Sequence, residues 1–228
     1  MITEPTVSVW AKSSIDIEMY RTFMDSPGDD SPVLDSDLLA EAAGRACYDS
    51  FHRPNPKTAT TDAYIANILQ LQHHSVLAHG SVTFYIEGVS RSLTHELIRS
   101  RFLAFSQLSQ RYVNSAHMDW VCPPQYLDNP DAQKELDDIW KISIATYERL
   151  SDIQLQRDIS RKRAREAARA VLPNMCETKI VVTGNHRAWR DFIAQRNTMT
   201  ADQEIHRLAG ILLEKLTDLA PATYSDML

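Results

Sequence analysis

From Ser81 to Val89 the side chains alternate, with Val82, Phe84 and Ile86 set against Thr83, Tyr85 and Glu87. A period of two marks a strand with one face buried, and nothing else in the chain limits the fold as strongly. Only Thr178–Thr183, short, β-branched and closed by Gly184 and Asn185, reads as a second strand. The other apolar patterns repeat at helical spacing. They predict helices over Leu38–Tyr48 (capped by Asp35 or Ser36), Asp62–His73, Ser90–Arg101, Asp131–Ser151, Ile159–Val171, Arg187–Arg196 and Ala201–Leu219. Residues 25–36 are acidic and turn-forming and read as an exposed loop. Phe51–Lys57 and 124–130 read as connections. The sum is a helix-rich α+β chain with too few strands for a doubly wound sheet.

At 228 residues the chain can bury one sizeable core. Its net charge of −6 argues against a partner such as polymeric nucleic acid, which draws on net basic surface. Cys47, Cys122 and Cys176 are far apart and lack CxxC spacing, which excludes a disulfide scaffold and a cysteine-rich zinc site and suits a reducing, cytoplasmic setting. No apolar run approaches the ~18 residues of a membrane span, so a soluble protein without a membrane partner is expected. None of the six glycines forms GxG, so no Rossmann or Walker loop is present. Any nucleotide must be held by arginines and helix ends.

The segment Arg99-Ser-Arg-Phe-Leu-Ala-Phe-Ser-Gln-Leu-Ser-Gln-Arg-Tyr112 is the place to look for one. Arg99, Arg101 and Arg111 accompany Ser106 and Ser109, and no Asp or Glu occurs between Glu96 and Asp119. Guanidinium forks and hydroxyls match phosphate oxygens and carbonyl pairs. Singly, Arg99 and Arg101 suit a helix end and Arg111 a surface ion pair; as a cluster they point to an anion. Four further groups stand out. His73, His74 and His79 sit between a helix and the first strand, with spacing poor for a metal site. In the basic helix, Arg161, Lys162, Arg163 and Arg165 suit water, whereas Arg169, near its end, is expected to be partly buried and to need a partner. Asn185 and Arg187 follow the second strand, where binding residues concentrate. Arg196 follows Trp189, Phe192 and Ile193 by seven, four and three residues, which sets it on an apolar helix face where an unpaired cation is costly.

In these residues the chain resembles the flavin-dependent thymidylate synthases over roughly residues 40–220. The family signature, Arg-His-Arg, seven residues, then Ser, stands here as Arg99-Ser100-Arg101, seven residues, then Ser109. Gly44–Tyr48, His73–His79, Ser90–Ile98, Ser106–Tyr112, Ala168–Pro173 and Asn185–Arg187 match in family order. The resemblance implies one domain over residues 1–228, built around a small, mostly antiparallel sheet. It implies a homotetramer with shared active sites and FAD bound without a Rossmann fold. The implied reaction is reductive C5-methylation of a uridylate, with methylenetetrahydrofolate as carbon donor and NADPH as reductant. By position, Ser109, Gln110, Arg111 and Arg169 would hold the nucleotide, with Glu96 and Gln107 in the substrate's surroundings. His73, Ser75, Arg99, Ser100, Arg101, Asn185 and Arg187 would lie at the flavin, and Arg196 where flavin and pyrimidine meet. Arg196 and Ser109 are thus the catalytic candidates, the serine as an orienting hydroxyl rather than a base; no metal is implied.

Three positions depart from the family pattern: Ser100, Ala78 and Thr200 stand where an imidazole, an acid and an imidazole are usual. All map to the cofactor side. They suggest a specialised paralogue, similar to the UMP/dUMP 5-methylases of polyoxin-type nucleoside-antibiotic pathways, ahead of an ordinary dUMP methylase of a bacterium or phage. A binding protein that has lost turnover is the reading of another class.

Overall fold

The protein is described by a computed structural model covering residues 1–23, 34–51 and 55–228. Residues 25–33 of the expected acidic loop, and His52, Arg53 and Pro54 of the first connection, lie outside the described residues. Four strands form one antiparallel sheet in the order β1-β2-β4-β3. These are β1 (Thr6–Lys12), β2 (Ser81–Ser90), β3 (Ala104–Gln107) and β4 (Glu177–Asn185). The helix-rich α+β expectation holds, with two strands added at the sheet's edges.

Alternation in β2 has the expected consequence. Val82, Phe84 and Ile86 are buried together with Ile180 and Val182 of β4, and against them pack helices α7 (His186–Arg196) and α8 (Gln203–Leu219). Helix α8 presents Ile205, Leu208, Ala209, Leu212, Leu213 and Leu216 as one buried stripe, the 3.6-residue pattern of an amphipathic helix. Gly88 has φ +71°, and a Cβ there would stand 2.9 Å from the Glu4 carbonyl oxygen. It lies between Ile86 and Val89, where the β2–β4 ladder departs from regular pairing, and a bulge with φ > 0 favours glycine. Gly184 does not close β4 as its composition suggests but pairs with Val82 inside the ladder. A Cβ there would come within 2.2 Å of Leu103, so the glycine admits that side chain.

The remaining helices are α1 (Ile17–Phe23), α2 (Asp35–Cys47), α3 (Thr61–Gln70), α4 (Arg91–Leu97), α5 (Pro130–Leu155), α6 (Arg161–Ala168) and α9 (Pro221–Tyr224). Helix α2 starts earlier than expected: Asp35 and Ser36 lie inside it and Leu34 is the N-cap. Buried Asp37 serves another helix instead, accepting hydrogen bonds from the Ala222 and Thr223 amides and the Thr223 hydroxyl. Helix α4 is shorter than expected. It ends at Leu97, and the Arg99 and Ser100 amides donate back three residues to Glu96 and Leu97. Continuing it would carry Leu103 away from Gly184 and β3 away from β4. Among the described residues no helix is long and apolar enough to cross a membrane.

Candidate active site

The segment 99–112 is divided by β3. Its first part, Arg99 to Leu103, is a turn leaving α4; its last part, Ser109 to Val113, is a second turn, in which the Tyr112 and Val113 amides donate to the Ser109 carbonyl. Four strand residues lie between, so the turns stand about 13 Å apart at ~3.3 Å per residue. The cluster therefore reaches two separate faces of the fold.

The first turn faces α7. A cleft of 510 Å³ is lined by His74, Ala78, Phe102, Asn185, Arg187, Ala188, Arg190, Asp191, Ala194 and Met227, and a second cavity of 370 Å³ by Arg99, Ser100, Gln195 and Arg196. Both open along the same helix. Asn185 is the N-cap of α7: its Oδ1 accepts from the Ala188 amide at 2.8 Å, which leaves its amide N–H groups for the cleft. Arg187 is exposed. Arg99 and Arg101 are also exposed, past the end of α4 rather than inside it. Arg196 is 21% exposed at its side chain, and its Nη1 donates to Glu96 Oε2 at 2.7 Å. An arginine on an apolar helix face needs an anion, and α4 supplies one.

The histidine cluster disperses. His74, half-buried, lines the 510 Å³ cleft, and burial holds its pKa below the usual imidazole value, helped by the Arg190 charge. His73 is exposed and lines a separate 280 Å³ cleft with Arg45 and Tyr64. His79 lines an apolar groove between α1 and α2. Ser75 is exposed and lines neither cavity along α7. In this chain it is thus His74, not His73 or Ser75, that joins Asn185 and Arg187; one turn of 3₁₀ helix over His74–Ala78 sends the neighbouring side chains in different directions. Among the described residues no group of three His, Cys, Asp or Glu is placed to hold a metal ion.

The second turn faces α6. Arg111 Nε lies 2.7 Å from Glu166 Oε2 on that helix, a close ion pair off the N–H direction, so Nε makes no hydrogen bond. The acid absent from the local sequence thus arrives from the tertiary fold. The Ser109 hydroxyl accepts from the Arg111 amide at 3.4 Å, a long bond. Gln110 Nε2 donates to Cys176 Sγ at 3.7 Å; burial pushes that thiol's pKa up to about 11, so it stays protonated at neutral pH. Gln107, half-buried, uses its amide nitrogen on Thr94 Oγ1 (2.9 Å) and Thr178 Oγ1 (3.2 Å). Arg169 corrects an expectation: it is exposed, not partly buried. Helix α6 ends at Ala168, and the positions it buries are Ala164 and Ala168. Arg169 instead lies close enough to Arg91 to lower that residue's pKa, after the larger effect of Arg91's own burial. Ser109, Gln110, Arg111 and Arg169 line neither cavity along α7.

Sequence reasoning missed Arg91, Phe102, Arg190, Asp191 and Met227. Arg190 is buried, with both Nη atoms on the Asp226 carboxylate at 2.7 and 2.8 Å, which sets the C-terminal segment beside the cleft. No local signal marks that pair, because its members are 36 residues apart. Phe102 carried a signal, an aromatic directly after Arg101 in a basic turn.

Residues 32–222 match the family described as thymidylate synthase complementing protein. The chain is 53% identical over 195 residues to the flavin-dependent thymidylate synthase of Mycobacterium avium (strain 104), covering 82% of this chain and 78% of that one. It is 49% identical over 216 residues to the protein of the same description from Mycobacterium leprae (strain Br4923), covering 88% and 85%. A third, from Mycobacterium tuberculosis (strain ATCC 25177 / H37Ra), is 51% identical over 195 residues, covering 82% and 78%.

Proposed function

The chain belongs to the flavin-dependent thymidylate synthase family, and from that premise we propose that it methylates C5 of dUMP reductively, with FAD as bound cofactor and methylenetetrahydrofolate and NADPH as co-substrates. The observation that carries this reading is the gathering of Asn185, Arg187, Arg99, Ser100 and Arg196 around two cavities along α7. The lining fits a flavin: amide donors from Asn185 suit a ring edge, and Arg99 and Arg187 suit a diphosphate. Bound there, the flavin supplies the hydride chemistry.

The protein's own groups bind, orient and stabilise. Arg196, oriented by Glu96, stands where a cation would stabilise negative charge developing on the uracil carbonyl. Arg111, Arg169 and Arg91 hold the nucleotide phosphate on the far side of β3, and the Ser109 hydroxyl and Gln110 orient the base. Among the described residues the Ser109 hydroxyl is hydrogen-bonded to the Arg111 amide rather than to a base, and Cys176 keeps its proton, which supports a route without a protein nucleophile.

Because β3 separates the nucleotide residues from the α7 cavities in one chain, we read the active site as shared between copies in a homotetramer. Light scattering checks the assembly. Mixing Arg196→Ala with Arg111→Ala subunits checks the sharing: hybrids regain activity if one site draws on two chains, and stay inactive if each chain is self-contained.

The unusual positions do not favour a ribonucleotide acceptor. Ala78 lines the 510 Å³ cleft, Ser100 lines the 370 Å³ cavity, and Thr200, past α7, is engaged with Thr198. None adjoins Ser109–Arg111 within one chain, and relatives described as flavin-dependent thymidylate synthases favour dUMP. The test is to purify the protein, record its flavin spectrum, and compare kcat/KM for dUMP and UMP with methylenetetrahydrofolate and NADPH. A preference for UMP would return the chain to the nucleoside-antibiotic class. A yellow protein that methylates neither would be a binding protein, and a colourless one that added FAD does not rescue would overturn the flavin reading.

A further inference from the structure

Phe102 is 73% exposed, more than any other aromatic side chain among the described residues. Its neighbour Leu103 takes the buried place against Gly184, whereas the Phe102 ring forms part of the wall of the 510 Å³ cleft. Of the other aromatics more than 60% exposed, Tyr112 has Lys162 over its ring and Tyr48 lines the separate 280 Å³ cleft, while Trp10, at 60%, stacks on Tyr85 at 4.6 Å. Among the described residues neither a ring nor a cation stacks on Phe102, although Arg99 and Arg101 closely precede it in sequence. A large apolar face left bare beside polar cleft residues marks a ligand surface.

We infer that Phe102 is the stacking face for the flavin ring in this cleft. The inference rests on the proposed function for the presence of flavin, and adds the residue that grips its plane. The rest of the lining supplies edges and charges but no ring of comparable exposure: Asn185 offers amide donors, Arg187 a cation, Ala78 and Ala188 small flat surfaces. Ser100, in the adjoining cavity, contributes no ring either. The aromatic contact of this turn falls to Phe102, and the arginines just before it, Arg99 and Arg101, suit a ligand whose flat ring is joined to phosphates.

The experiment titrates FAD into apo full-length protein and its Phe102→Ala, Phe102→Leu and Phe102→Tyr variants, following flavin fluorescence and the visible spectrum. Because the side chain is exposed, folding is expected to survive all three, and circular dichroism checks it. Alanine and leucine are expected to weaken FAD about tenfold, the size of a base–aromatic stack, and to lose quenching of flavin fluorescence. Tyrosine is expected to keep both. Equal FAD affinity and quenching in wild type and Phe102→Ala would overturn the inference while leaving the flavin reading intact. Retention by leucine as good as by tyrosine would also overturn it, since an apolar cover without a ring would then suffice. A wild-type protein that binds no FAD would overturn both.

Discussion

The two faces reached by the 99–112 segment are built differently. The α7 face is a set of recessed cavities whose key cation, Arg196, is fixed by Glu96 within the same chain. On the α6 side Arg169 is exposed and Arg111 pairs with a half-exposed carboxylate, Glu166, and neither lines the 610 Å³ cavity between α5 and α6. A recessed site is organised before its ligand arrives, whereas an exposed cation cluster acquires its geometry from the ligand or from another subunit. The contrast explains why, on the proposed assignment, the cofactor side has a formed cleft in one chain while the nucleotide side is a set of exposed arginines.

Substitutions can break this contrast, beginning with the largest effect. Arg196→Ala should lower kcat by about 10²–10³-fold with flavin still bound, since a preorganised donor at developing charge is lost; steady-state kinetics on the yellow protein checks this, and unchanged kcat would remove Arg196 from the chemistry. Arg111→Ala and Arg169→Ala should weaken dUMP by roughly 10–100-fold, the size of one charge-assisted bond, with flavin content unchanged. Equal flavin loss in both would erase the distinction between the faces.

Acidification sharpens the comparison next. His186 begins α7 with its Nδ1 against the Tyr224 hydroxyl at 3.0 Å and its Nε2 buried without a partner, and burial lowers its pKa to about 4. The folded state keeps this ring neutral, so its contribution is complete above the unfolded value near 6.5. It is lost as pH falls toward 4, at about 1.4 kcal/mol per unit. Denaturant melts from pH 7 to 4 should show that loss, and His186→Gln should flatten it. The smallest effect belongs to the exposed Lys134–Asp138 pair on α5; Lys134→Ala should leave the denaturant midpoint unchanged within error and leave both ligands alone.

Much of this was legible in the sequence. β2 and the α8 stripe follow from periodicity, and Asn185, Arg187 and Arg196 follow from their places at a strand end and on a helix face. The 99–112 segment stood out because a signature of fixed spacing spans it. What was not legible depends on contacts between distant parts of the chain. β3 has only four residues and gains its ladder from β4; Arg190 meets Asp226 across 36 residues; Glu166 reaches Arg111 from another helix. Exposure of Arg169 turned on where α6 stops, and dispersal of the histidines on the direction of a single 3₁₀ turn. Local pattern has no access to such contacts.

Asp37 and α9 carry a consequence for how the chain is made. Four residues are far too few to hold a helix unaided, and the Asp37 carboxylate is buried among donors that come only from Ala222 and Thr223, some 185 residues later. During synthesis α2 leaves the ribosome well before residues 222 and 223, so its acid waits for partners made some 185 residues later. A chain cut before residue 222 would lose those donors and keep an unsatisfied carboxylate among buried residues, a defect that should cost stability well beyond the loss of α9 itself.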